Sequence, residues 1–225
     1  MVDEEPTAVS AATVARLPLY LRGLIDLRAR GTDVVSSDQL GQYVHVRSGT
    51  VRRDLSNIGL LGTRGVGYDV AAAVHELTGW LGLTEQWPVA IVGAGNLGSA
   101  LAAYPGFEAR GFPVMAIFDA DPGKVGRTVG RLPILHINLL PDTIASMRIS
   151  IGIVATPASE AQGVTDMIVA AGVKSILSFA PTMVGVPPDV NVRAVDLANE
   201  LQILAFHAWF STGKSTPTLQ PPELA

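Results

Sequence analysis

The chain has 225 residues, 48% hydrophobic and 16% charged, a balance that fits a core-rich globular protein of two modest domains and excludes a disordered one. It contains no cysteine, which excludes disulfides, thiolate nucleophiles and cysteine-based metal sites. The net charge of −4 argues against a general polyanion binder, and no apolar run approaches the roughly 18 residues that cross a bilayer.

The N-terminus, MVDEEPTAVS, lacks the basic-then-apolar order of a secretory signal, so a cytoplasmic location is expected. Residues 1–10 read as a flexible acidic arm. Val14, Leu17, Leu21, Leu24 and Ile25 then recur at helical spacing and predict an amphipathic helix to about Arg30. Pro18 kinks it or marks its effective start, and Gly31 closes it. Ser36 with Gln39 makes a capping box before a short helix to about Tyr43. Ser48 is a second cap, opening a helix through about Asn57 with Val51, Leu55 and Ile58 inward. The loop GTRGVGY at 62–68 has the chemistry of a tight hairpin or wing. Val70, Val74, Leu77 and Leu81 give one more helix, and residues 82–88 a linker.

Short helices followed by a glycine-rich loop outline a winged helix-turn-helix over 11–85. With Val51, Leu55 and Ile58 inward, the 100° step places Gly49, Arg53 and Ser56 on the outer face, flanked by Arg52 and Asn57. That face suits base edges and phosphates, and Gly49 permits close approach. Ser48, at the helix start, belongs to the same candidate DNA surface. Residues 42–67 hold four arginines (47, 52, 53 and 64) against one acid, Asp54, and residues 1–85 contain no lysine. Local positive charge in a net-negative protein suits specific recognition, and Arg64 at the loop tip suits a minor groove. A solvated surface with a few arginines is the plain alternative.

From Val89 the pattern changes to alternating strands and helices, as in a parallel sheet with helices on its faces. The strand Val89–Val92 runs into the fingerprint Gly93, Gly95 and Gly98. The first glycine makes a tight turn, the second lets backbone approach a pyrophosphate, and the third lets helix pack on strand. The helix start then offers free amides and a positive dipole end to phosphates. A second apolar run, 114–118, ends in Asp119, 21 residues after Gly98, where an acid binds ribose hydroxyls. Further strands are expected at 149–155, 175–179 and 192–196, with a helix from Ser159 to about Ala171. A Rossmann-type nucleotide domain is therefore expected over 86–196.

The segment 197–210 is helical but apolar nearly all round, with Leu201, Ile203, Leu204, Phe206, Trp209 and Phe210. A terminal helix without a polar face must be buried on several sides, either across its own sheet or in a partner subunit. The partner reading is favoured. Residues 211–225 read as a disordered tail.

The strings ARLPLYLRGL, SSDQLGQ, VRRDLS, GTRGVGY, IVGAGNLGSALAAYPGF, FDADPGKVG, VATP and FAPTMVGVP resemble the Rex family of bacterial redox-sensing transcriptional repressors. The resemblance covers about residues 11–210. It implies a homodimer with an N-terminal winged helix, a Rossmann-type core and a swapped C-terminal helix. It also implies binding of double-stranded operator DNA when NADH is scarce, and release when NADH binds. By the same resemblance Gly93, Ala94, Gly95, Asn96, Leu97 and Gly98 line the pyrophosphate of NADH or NAD+. Asp119 holds the ribose with Lys124 nearby, and Thr156 and Pro157 border the cofactor. Tyr104, Arg22 and Asp196 match positions that couple cofactor state to head orientation. The chain departs from the pattern in lacking aromatic residues at 57–61, in Arg53 where lysine is frequent, and in Gly49 where a larger residue is usual.

Two rivals remain at this stage, a small NAD-dependent oxidoreductase and a coenzyme A-binding protein. A dehydrogenase needs a proton-transfer group beside the nicotinamide, yet His136 and His207 have no spaced acid partner. No catalytic residue, metal site or membrane contact is expected.

Overall fold

The structure is a computed structural model and describes residues 9–212. Most of the acidic arm and almost all of the 211–225 tail lie outside those residues. The chain divides into two compact units, one ending at Gln86 and the other beginning at Trp87.

In the first unit α1 spans Ala11–Ala29, β1 Val34–Val35, α2 Ser37–Val44, α3 Ser48–Asn57, β2 Tyr68–Asp69 and α4 Val70–Trp80. Ser10, placed by sequence in the arm, caps α1 by accepting from the Thr13 amide. The helix therefore starts seven residues before Pro18, and the expectation that Pro18 marks its start is corrected. The buried stripe also differs from the expected one. It comprises Thr13, Leu17, Tyr20, Leu21 and Leu24, whereas Val14 and Ile25 are each 48% exposed. Thr13 and Tyr20 are inward because their hydroxyls donate to buried Asp54, which apolar spacing does not register.

The capping box at α2 is present, with Ser36 Oγ accepting from the Gln39 amide and Gln39 Oε1 from the Ser36 amide. Ser48 is not a cap. Arg47 occupies that position without a side-chain bond, and Ser48 is the first residue of α3. Val51, Leu55 and Ile58 face inward as expected, joining Leu17, Leu24, Leu40, Val70 and Leu77 in one core. The wing is a small hairpin: β1 pairs with β2 antiparallel, and Thr63 bridges Gly67 through bonds of 2.8 and 2.9 Å. Gly67, at φ +120°, lies so close to the Val35 carbonyl that a Cβ would strike it.

In the second unit β3 spans Val89–Val92, α5 Asn96–Ala102, α6 Pro105–Glu108, β4 Val114–Asp119, β5 Thr128–Val129 and β6 Leu132–His136. A 3₁₀ turn follows at Ile137–Leu139. Then come α7 (Leu140–Met147), β7 (Ile151–Val154), α8 (Ala158–Ala170), β8 (Ser175–Ser178), β9 (Asn191–Ala194) and α9 (Leu197–Ser211). The seven strands are ordered β5-β6-β4-β3-β7-β8-β9, parallel except for the β5–β6 pair. Alternation along β3 splits the core. Ala90 and Val92 pack with Leu140, Ile144, Ala161, Val164 and Ile168, while Val89 and Ile91 join Leu101, Phe107 and Phe112 on the other face.

That second face is only half covered. Beyond Phe107 and Phe112, residues Ile151, Ile153 and Leu177 line an open apolar groove of about 370 Å³. No residue of α9 is buried, so the reading in which this helix packs across its own sheet is corrected. Among the described residues no helix is long and apolar enough to cross a membrane.

Candidate functional site

The strand order reverses beside β3, since the chain passes from β3 outward to β4 and then back to β7 on the other side. In open parallel sheets this switch leaves a crevice at the carboxyl ends of the strands where ligands bind. Gly93 turns out of β3 at φ +106°, its amide donating to the Phe118 carbonyl at 2.8 Å. A Cβ there would strike the Ala155 carbonyl, and one on Gly98 would strike the Gly93 carbonyl. The two glycines thus seat α5 directly on the loop between strands. Gly95 is exposed with open space before it, and Asn96 and Leu97 form the exposed first turn of α5.

Two more strand ends complete the crevice. Asp119 ends β4 almost buried. Its Oδ2 accepts from the Ala94 amide at 2.8 Å and Lys124 Nζ at 2.9 Å, and its Oδ1 from the Asp121 amide. Burial works to raise this carboxyl, but Lys124 and the two amides outweigh it and hold it below the ordinary carboxylate range. Thr156 follows β7, and Pro157 precedes α8. The Thr156 methyl lies 3.1 Å from the place of a Cβ on Gly93, and its Oγ1 is buried without a hydrogen-bond partner. A buried hydroxyl left unsatisfied costs free energy, so the crevice is suited to a polar ligand at this point. The glycine cradle and this hydroxyl together fit a dinucleotide. Tyr104 stands past the far end of α5, half exposed, its ring edge-on to Phe107 at 5.2 Å.

The head presents a second surface. Gly49, Arg53 and Ser56 are exposed on α3, opposite buried Val51 and Leu55. Arg52 is exposed but leans on α2, its Nη2 donating to Ser37 Oγ at 3.2 Å. Arg64 is exposed at the wing tip. Between α2, α3 and the wing runs a groove of about 650 Å³ lined by Ser37, Arg52, Ser56 and Arg64 among others.

One constellation escaped the sequence reading. Asp54 is 1% exposed and accepts hydrogen bonds from Thr13, Arg16 and Tyr20 of α1. Burial would raise its carboxyl, but these donors hold it below the usual range. The signal was available: Asp54 stands three residues after Val51, on the inward stripe, where an acid needs a partner.

Arg22 is exposed on α1, and Asp196 caps α9 by accepting from the Ala198 amide at 2.9 Å. These two residues belong to different units. His136 accepts from the Asn138 amide at the 3₁₀ turn, and His207 lies exposed against Phe206. No group of His, Asp or Glu among the described residues could hold a metal ion.

The chain is 53% identical over 206 residues to the redox-sensing transcriptional repressor Rex of Streptomyces coelicolor, covering 92% of this chain and 80% of that protein. Against the Rex repressor of Carboxydothermus hydrogenoformans it is 45% identical, covering 88% and 96% of the two chains. The chain belongs to the Rex family of redox-sensing transcriptional repressors. Two family models match parts of the chain, a putative DNA-binding protein N-terminus at residues 8–56 and a CoA binding domain at 84–182. The fold agrees with that of RSP, a Rex-family repressor solved in complex with beta-NAD+ and operator DNA. The TM-score is 0.85 at 36% identity, over 92% of this chain and 95% of that one. RSP solved with beta-NADH matches at 0.82. Like other Rex chains, this one combines a DNA-binding N-terminal domain with a Rossmann-type sheet, and it is a repressor, not an enzyme.

Proposed function

We propose that this protein is a cytoplasmic, homodimeric repressor that binds operator DNA when NADH is scarce and leaves it when NADH binds. The observation that carries this is the match, along nearly the whole chain, to a Rex repressor solved with operator DNA and beta-NAD+. Neither rival accounts for a winged head with an arginine-bearing helix, and neither is favoured by full-length relatives that are repressors.

In this reading residues 11–85 read DNA and residues 86–196 bind NAD(H). Ser48, Gly49, Arg52, Arg53 and Ser56 face the major groove, and Arg64 enters a minor groove. Gly93 through Gly98 take the pyrophosphate, Asp119 and Lys124 the ribose, and Thr156 and Pro157 the border of the crevice. Residues 197–210 join two copies. Support for the last point is that α9 exposes Leu201, Leu204, Phe206 and Phe210 while the same unit leaves an apolar groove open. Tyr104, Arg22 and Asp196 couple the two ligand states.

The test is a mobility-shift titration with the highest-affinity duplex that the protein selects from a randomised pool. Added NADH should release the duplex at concentrations where NAD+ does not. Retention of the duplex at saturating NADH would overturn the reading.

A further inference from the structure

We propose that Asp54 is a positioning residue for DNA recognition: it fixes the roll of α3 against α1 and thereby aims Arg53. The inference rests on α3 being the reading helix. Thr13 Oγ1 donates to Oδ1 at 2.9 Å and Tyr20 Oη to Oδ2 at 2.7 Å. Arg16 donates through both Nε to Oδ2 at 2.6 Å and Nη2 to Oδ1 at 2.8 Å. Each oxygen therefore accepts twice, which uses the carboxylate's full capacity of about four acceptor sites.

The donors recur at i, i+3 and i+7 along α1, so three side chains over two turns of that helix converge on a single side chain of α3. Apolar contacts such as Val51 and Leu55 hold two helices together but tolerate rotation, because dispersion is not directional. A bidentate guanidinium–carboxylate pair is planar and sets an angle. Arg53 precedes Asp54 in the helix, so the angle that satisfies Asp54 also sets the direction of the exposed guanidinium, about 100° away.

Stability alone does not explain the arrangement. A buried ion pair is often no better than well-packed apolar residues of similar volume, while an unpaired one is severely destabilising. What the polar cluster adds is a unique orientation.

The experiment uses the full-length protein, a duplex it selects from a randomised pool, and a scrambled duplex at the same salt. Partial unfolding weakens both affinities by one factor, the fraction folded, and leaves their ratio unchanged. Misaiming lowers the selected duplex alone, because phosphate contacts survive it. Asp54→Asn should reduce the ratio about tenfold or more, the effect of losing one good base contact. Because that variant leaves Arg16 unpaired, a second one replaces the cluster with apolar residues: Arg16→Met, Tyr20→Phe and Asp54→Leu together. A folded triple variant with a reduced ratio supports the proposal. A folded triple variant with the parental ratio overturns it, and so does unfolding of the head in both variants, which assigns the cluster to stability alone. Arg53→Ala separates the two failures. An unchanged ratio there sinks α3 as the reader and the proposal with it. A reduced ratio there, with unchanged ratios in the Asp54 variants, sinks the positioning role alone.

Discussion

The Asp119 carboxylate accepts the Ala94 amide at 2.8 Å, so the acid that ends β4 grips the loop leaving β3. The same oxygen takes Lys124, and the other takes the Asp121 amide. Asp119 thus shapes the glycine loop, and in the proposed reading it also offers a charge to a ribose. Its removal acts on both.

Cofactor choice follows from that charge. A carboxylate accepts from ribose hydroxyls and repels a 2′-phosphate, so NADH is expected to bind much better than NADPH. Asp119→Ala should weaken NADH and narrow the gap. Calorimetric titration of both nucleotides measures this; equal affinities in the parent protein would refute it.

The grip is pH-dependent. The folded carboxyl titrates below its unfolded value of about 3.9, so its contribution is complete above that value and lost as pH falls through the lowered one. The stability advantage of the parent over Asp119→Asn should therefore be constant near neutrality and shrink below about pH 4. Thermal unfolding of the two proteins across acidic buffers reads the difference, and a constant gap down to acid pH would contradict it.

Gly98→Ala should damage the nucleotide unit, because its Cβ would strike the Gly93 carbonyl, which is backbone and cannot rotate away. Overpacking of this kind costs about 1–3 kcal/mol. A lower melting temperature with weakened NADH binding is expected; unchanged melting and binding would show the close approach to be relieved.

Arg53→Ala should weaken binding to the selected duplex by about 1–3 kcal/mol while sparing NADH. Arg52→Ala should cost less, since Arg52 is already engaged with Ser37. Fluorescence anisotropy at fixed salt tests the order, and a reversed order would assign the reading role to Arg52.

Linkage makes the switch reciprocal. NADH must weaken DNA binding by the same factor by which DNA weakens NADH binding. Asp196→Ala should leave both ligands bound but reduce that factor, and it should also remove the α9 cap, worth about 0.5–2 kcal/mol. NADH affinities measured with and without saturating duplex decide it; two equal values in the parent protein would exclude redox gating.

Much of this was legible because the signals are local. The capping box of Ser36 and Gln39, the strand–glycine–helix at Val89–Gly98 and the acid at Asp119 each declare themselves within a few residues. What stayed hidden depends on distant partners or on very short elements. Strand β5 has two residues, too brief to alternate; β6 carries Pro133 near its start, and α7 begins at Leu140–Pro141, so proline reads as a break in both. The Ser48 cap failed because the helix had already begun at that residue, with Arg47 before it. The place of Asp54 on the inward stripe is a local signal that it needs a partner, but the partners' identity is not, since its four bonds come from residues 34 to 41 positions away.

The bareness of α9 has a thermodynamic consequence. If Leu201, Leu204 and Phe206 are hidden only by a second copy, assembly and stability are governed by mass action. The melting temperature then rises with protein concentration, and dilution favours separated chains with exposed apolar helices. Cellular abundance becomes a determinant of the protein's own persistence, because a scarce repressor exposes the segment most prone to aggregation and proteolysis.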